Sequence, residues 1–276
     1  MESQALLPTP AQFSHRPIHV VLARANGPLF YGVAIASLLE ATAPVSVQRL
    51  LRFVRNDGAF CAWVMGDWLV HKAASARALQ VYVEKRWPEY DWARACEQYR
   101  ACATGEGGLG PRHATAAQEL LARCVAAAQA GLFYRGLARW ADDPDLREMA
   151  RAMAQGEAKA FQQFREAYEA RASAQHFGFA MAWRTARACV RTARDIHVQL
   201  AFRAINTQCG SHVPFPVLSY DEFITRMRRV IERHSEIGTP ERILLGAWKH
   251  SPAPSRIAEP RYCVPDWFKP FFKGAV

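Results

Sequence analysis

Three charged residues fall on helical stripes that otherwise carry hydrocarbon: Glu40, Lys72 and Glu157. Glu157 follows Met153 by four residues and precedes Phe161 and Phe164, so a 3.6-residue helix aims it inward. Lys72 shares its stripe with Cys61, Met65, Trp68, Ser75, Leu79 and Tyr82. Glu40 lies among Phe30, Val33, Ala36, Ala43, Val47 and Leu50. An ionised group inside a core needs a partner. Two inward carboxylates and one inward ammonium therefore predict a buried cluster in which Lys72 pairs with Glu40 and Glu157. The competing expectation is that one or more of the three sits at the end of a bundle, in water.

Other constellations that could do chemistry are weak. His71, His113, His176, His197 and His234 show no Glu-x-x-His spacing, and Asp195 and His197 point to different helix faces. Gly105 to Gly110 lacks the lysine and the preceding strand that a phosphate-binding loop requires, and nucleophile motifs are absent. Seven cysteines without a CxxC pair read as reduced structural thiols. Arg184, Arg187, Arg191 and Arg194 form a basic stripe that is either a solvated face or an anion-binding one.

The elements that must position these residues are helices. Asp143 caps and Pro144 opens a helix from Asp143 to Arg171, with Leu146, Met149, Met153, Gly156, Ala160, Phe164 and Ala167 inward. Before it come a helix over about 28–54 kinked at Pro44, one over about 59–86, a shorter one over 91–103, and a third long one over 115–141 with small residues at its middle. Residues 1–27 read as an irregular leader, in which Ile18 to Leu22 is the single strand-like run, and 104–111 as a loop. Beyond lie a helix over about 179–207, one opened by the Ser219/Glu222 capping box and ending near Gly238, a short one over 239–249, and a proline-rich tail. The expected division is leader 1–27, bundle 28–172, accessory helices 173–250 and tail 251–276.

The chain of 276 residues carries a formal charge of +10. Such a charge favours anionic partners. Lysine occurs only at positions 72, 85, 159, 249, 269 and 273, so the excess is arginine spread over every helix, which argues against a nucleic-acid patch. Trp267, Phe268, Phe271 and Phe272, interspersed with Lys269 and Lys273, fit either an arm packed on the bundle or a peripheral membrane contact. No secretion signal and no run of about 20 apolar residues is present, so a cytoplasmic location is the expectation.

The stretches Trp87 to Trp92, Arg123-Cys124-Val125 with Tyr134, Asp143 to Leu146, and Gly156 to Phe161 with Phe164 resemble bacterial ferritin-like proteins of the diiron carboxylate superfamily, over residues 29 to 170. The resemblance implies an all-α, ferritin-like four-helix bundle with a long crossover between its second and third helices, here with additional C-terminal helices. It places the superfamily's iron ligands at Glu40, at Lys72 and Ser75, at Ala127, and at Glu157 and Ala160. Only the two glutamates keep a donor. The expectation is thus a metal-free, non-catalytic scaffold without a cofactor, in which Lys72 replaces the cationic centre and the former site binds a protein partner or a small apolar ligand. A homodimer is compatible with this. Two alternatives stand beside it: a diiron-type oxidoreductase with other ligands, and a basic protein that binds membranes or nucleic acid.

Overall fold

The computed structural model describes residues 17–104, 114–174, 179–189, 194–209 and 213–234. All regular structure among them is helical. Four helical stretches form the centre. The first is α2 (Gly27–Ala41) with α3 (Ala43–Val54), after a short α1 (Pro17–Ala25). The second is α4 (Gly58–Trp63), a π-helical turn (Val64–Trp68) and α5 (Leu69–Arg86). After α6 (Trp92–Thr104) come α7 (Ala116–Trp140) and α8 (Pro144–Ala174). The outer layer is α9 (Phe179–Ala188), α10 (Arg194–Asn206) and α11 (Tyr220–His234).

Local chemistry fixes the boundaries. Asn26 accepts a hydrogen bond from the Leu29 amide at the start of α2, and Asp57 accepts one from Phe60 at the start of α4. Thr115 and Gln118 form a reciprocal capping box on α7. At α8 the Asp143 carboxylate accepts from the Asp145 amide at 3.0 Å, and Pro144 spends its missing N–H where none is needed. The three-residue link between α7 and α8 makes them an antiparallel hairpin packed along its length, and α2 pairs with α5 as the second half of the centre.

Helix α2 is buried all round from Leu29 to Leu38, because α5 covers one side while α10 and α11 cover the other. Its aromatic residues anchor the outer layer: Tyr31 stacks on Phe202 at 4.9 Å, and Phe30 lies within about 5 Å of Trp87, Tyr90 and Phe215. A second apolar cluster, with Leu50, Val64, Trp68, Cys124, Phe161 and Phe164, fills the other end.

Several sequence expectations need correction. The leader, expected to be irregular, contains a helix: α1 occupies the strand-like run, since a lone strand has no ladder partner whereas a helix satisfies its own backbone. It is docked, not loose. Trp87 Nε1 donates to the Arg24 carbonyl, and Arg24 pairs with Glu89 at 3.0 Å. The 28–54 helix is two helices bent by 42°, the break falling at Thr42 and leaving Pro44 in the first turn of α3, where it costs no hydrogen bond. The 59–86 helix contains the π turn, which adds a residue to one revolution and turns Met65 outward, 48 % exposed. The helix expected over 179–207 is described as α9 and α10, with 190–193 outside the described residues. Also outside lie the 104–111 loop beyond Thr104, the end near Gly238, the 239–249 helix and the whole tail. Among the described residues no single helix is long and apolar enough to cross a membrane; the bent pair α2 and α3 has the length and composition, but α2 is buried inside the bundle.

Candidate functional site

Glu40 comes from the last turn of α2, Lys72 from the first turn of α5 and Glu157 from the middle of α8. The structure brings them together. Lys72 Nζ lies 3.0 Å from Glu40 Oε2 and 3.2 Å from Oε1, and it donates a short hydrogen bond to Glu157 Oε1. The Tyr134 hydroxyl, from α7, donates to Glu40 Oε1 at 2.6 Å. All four helical stretches thus contribute to one knot, and all three charges are buried. Burial alone would lower the Lys72 pKa, but Glu157 and Glu40 outweigh it and hold the ammonium above the usual lysine range. A lysine kept charged in this way is a poor nucleophile.

A close helix crossing places Lys72. His71 lies against Gly156 of α8, where an added Cβ would meet the imidazole Nε2 at 2.0 Å. Glycine is required there by proximity. His71 itself is held below the ordinary histidine range, first by burial and then by the neighbouring ammonium, so it is neutral at pH 7.

The iron-ligand positions implied by the resemblance do not fit a dinuclear centre. The Lys72 ammonium bridges the two carboxylates, which is where a cation would have to lie, and the Ser75, Ala127 and Ala160 side chains are buried without a coordinating nitrogen or carboxylate. Among the described residues no three of His, Cys, Asp and Glu gather as metal ligands.

A second charged knot, which spacing alone does not reveal, lies nearer the start of α7. Glu119 is fully buried; Arg123 bonds its Oε1 at 2.8 Å, and Arg49 of α3 lies 3.2 Å from its Oε2. Arg123 also donates to the Ser46 hydroxyl and carbonyl. The Glu119/Arg123 spacing of four reads in sequence as an ordinary exposed helix pair. Trp68 links the two knots, with Lys72 Nζ 5.9 Å and Arg123 Cζ 6.0 Å from its ring centre. The π turn that ends at Trp68 sets this position.

Both knots border a cavity of about 390 Å³ between α2, α3, α7, α10 and α11. Much of its wall is apolar, including Ile35, Leu39, Ala126, Ala130, Phe133 and Ile224. Alanine at 122, 126, 127 and 130 of α7 leaves the space unfilled, and Ala126 is exposed within it. The wall also holds Gln129, 6 % exposed, whose Nε2 has no hydrogen-bond partner.

Of the basic stripe, Arg184 is exposed on α9, while the side chains of Arg187, Arg191 and Arg194 lie outside the described residues, as do Trp267, Phe268, Phe271 and Phe272. A third knot is structural: Tyr82 and Arg86 both donate to Asp143 Oδ2 at 2.9 Å and tie α5 to the start of α8. No protein-family model, curated protein or solved structure matches this chain.

Proposed function

We propose that this chain is a metal-free ferritin-like scaffold that holds a small, mostly apolar ligand in the cavity beside the former metal position. The observation that carries the reading is the cavity itself: about 390 Å³ of largely apolar space, bounded by the Lys72 knot, at the lower end of the range of about 300–1,000 Å³ usual for small-molecule sites. Two helical hairpin-like halves, α2 with α5 and α7 with α8, joined through α6, support the ferritin-like arrangement. The lysine between Glu40 and Glu157 supports the loss of metal, because it supplies the positive charge those carboxylates need.

Two measurements test this. Protein purified from iron-supplemented cells should hold less than about one equivalent of any transition metal, because four of the six ligand positions offer no usual donor; two irons per chain would overturn the metal-free half. A neutral apolar dye, Nile red, should bind with a blue-shifted emission, and Ala126→Trp, which fills the cavity, should abolish that binding at unchanged helical content. Equal dye binding by the variant would overturn the cavity half.

A further inference from the structure

The charges around the cavity do not cancel. Its described wall carries four cations, Arg49, Lys72, Arg123 and Arg228, against three carboxylates, Glu40, Glu119 and Glu157, which leaves one positive charge. The imbalance has an address. Lys72 sits with two carboxylates in one knot, and Arg49 and Arg123 sit with one carboxylate in the other. Arg228 of α11 forms no ion pair with a described carboxylate, and its Nε lacks a hydrogen-bond partner. The positive excess on the described wall therefore rests with the arginines, Arg228 among them.

Two unpaired donors on the wall agree with this in sign. Gln129 Nε2 and Arg228 Nε are both donors without acceptors. Met227 and Phe133 both flank Gly32, so Gln129, one turn before Phe133 on α7, lies along the same stretch as Arg228, next to Met227 on α11. His197 of α10 also lines the space with Nδ1 unpartnered. Burial first, and then Arg49, depress its pKa, so it adds a polar atom but no charge at pH 7. A buried donor left unmade is costly, and a ligand that supplies an acceptor removes that cost.

We infer that the cavity is built for a ligand with one carboxylate on an apolar body, the carboxylate accepting from Gln129 and Arg228 and the body lying along Ala126, Ala130, Ile35 and Leu39. This rests on the ligand-binding reading above. A dianion would over-neutralise the single excess charge, an amine would add to it, and a neutral chain would leave both donors unmet.

The test uses three probes of one chain length on the full protein, decanoate, decan-1-ol and decylamine, by isothermal titration calorimetry at pH 7. Decanoate should bind at least about tenfold more tightly than decan-1-ol, and decylamine most weakly. Arg228→Gln and, separately, Gln129→Leu should each remove most of the decanoate preference while leaving decan-1-ol affinity unchanged, which a merely misfolded variant would not do. If decan-1-ol equals decanoate on the wild-type protein, the carboxylate inference is wrong and the apolar cavity stands. If all three probes and Nile red fail to bind, the ligand-binding reading falls with it.

Discussion

The two charged knots beside the cavity are near mirror images. In one, a lysine sits between two glutamates; in the other, a glutamate sits between two arginines. Their surroundings differ. The Lys72 knot draws its members from α2, α5 and α8, with Tyr134 from α7, and all of its side chains are buried. The Glu119 knot uses neighbours on α7 plus one residue of α3, and the Arg49 side chain remains 32 % exposed. Guanidinium groups stay charged at the edge of a cavity with a few donors in water, whereas a compact ammonium deep in the bundle stays charged only with carboxylates around it. The comparison teaches that the Lys72 knot is a structural tie with no positive charge to offer a ligand anion, while in the Glu119 knot arginines outnumber the carboxylate two to one.

The largest expected effect is at Lys72. Lys72→Met leaves Glu40 and Glu157 facing each other without a cation and should destabilise the protein by roughly 3–5 kcal/mol in a denaturant titration. Adding Glu40→Gln and Glu157→Gln should recover much of that loss. Neutral behaviour of the single variant, or simple additivity in the triple one, would mean that the tie contributes nothing.

Glu119→Gln is the matching perturbation of the other knot and should cost less, about 1–3 kcal/mol, since Arg49 can turn to solvent. A cost equal to that of Lys72→Met would erase the proposed difference. It should also strengthen decanoate binding, because it frees two cations beside the cavity; weaker binding would contradict the charge assignment.

Gly156→Ala sharpens the comparison by loosening only the Lys72 side. The new Cβ would strike His71, and displacement of that ring should cost about 1 kcal/mol. The double variant with His71→Ala should be more stable than Gly156→Ala alone. If it is not, the close crossing of α5 and α8 is not what holds the lysine in place.

The smallest effect is a pH dependence. The folded-state pKa of His71 is depressed, so its contribution is intact above the unfolded value of about 6.5 and is lost as pH falls below it, when the unfolded chain takes up a proton that the buried ring resists. Stability measured from pH 7.5 down to 5 should therefore fall less steeply in His71→Gln than in the wild-type protein. At the alkaline end the sign reverses for Lys72. Its pKa is raised, so its stabilisation is full below about 10.4 and declines as pH climbs towards the folded value. The triple variant should lack that part of the alkaline loss.

What the sequence determined by itself was periodicity. The stripes around Glu40, Lys72 and Glu157 each follow from 3.6-residue spacing within one helix, and the need of a buried charge for a counter-charge joins the three without any knowledge of the packing. The caps at Asp143 and Thr115 are equally local. Tertiary structure decided the rest. The run Ile18 to Leu22 has three β-branched residues, yet it is helical because no described segment pairs with it as a strand while α2 and α5 offer a surface to dock on. The π turn before Leu69 appears in no spacing rule, and it moves Met65 outward while setting Trp68 between the two knots. Glu119 and Arg123 look like a solvated pair until α3 brings Arg49 over them, and Gln129 is an ordinary polar residue until the fold buries it beside the cavity. Spacing along one helix sets which residues share a face, but whether that face meets water, a neighbouring helix or a cavity depends on elements far away in the chain.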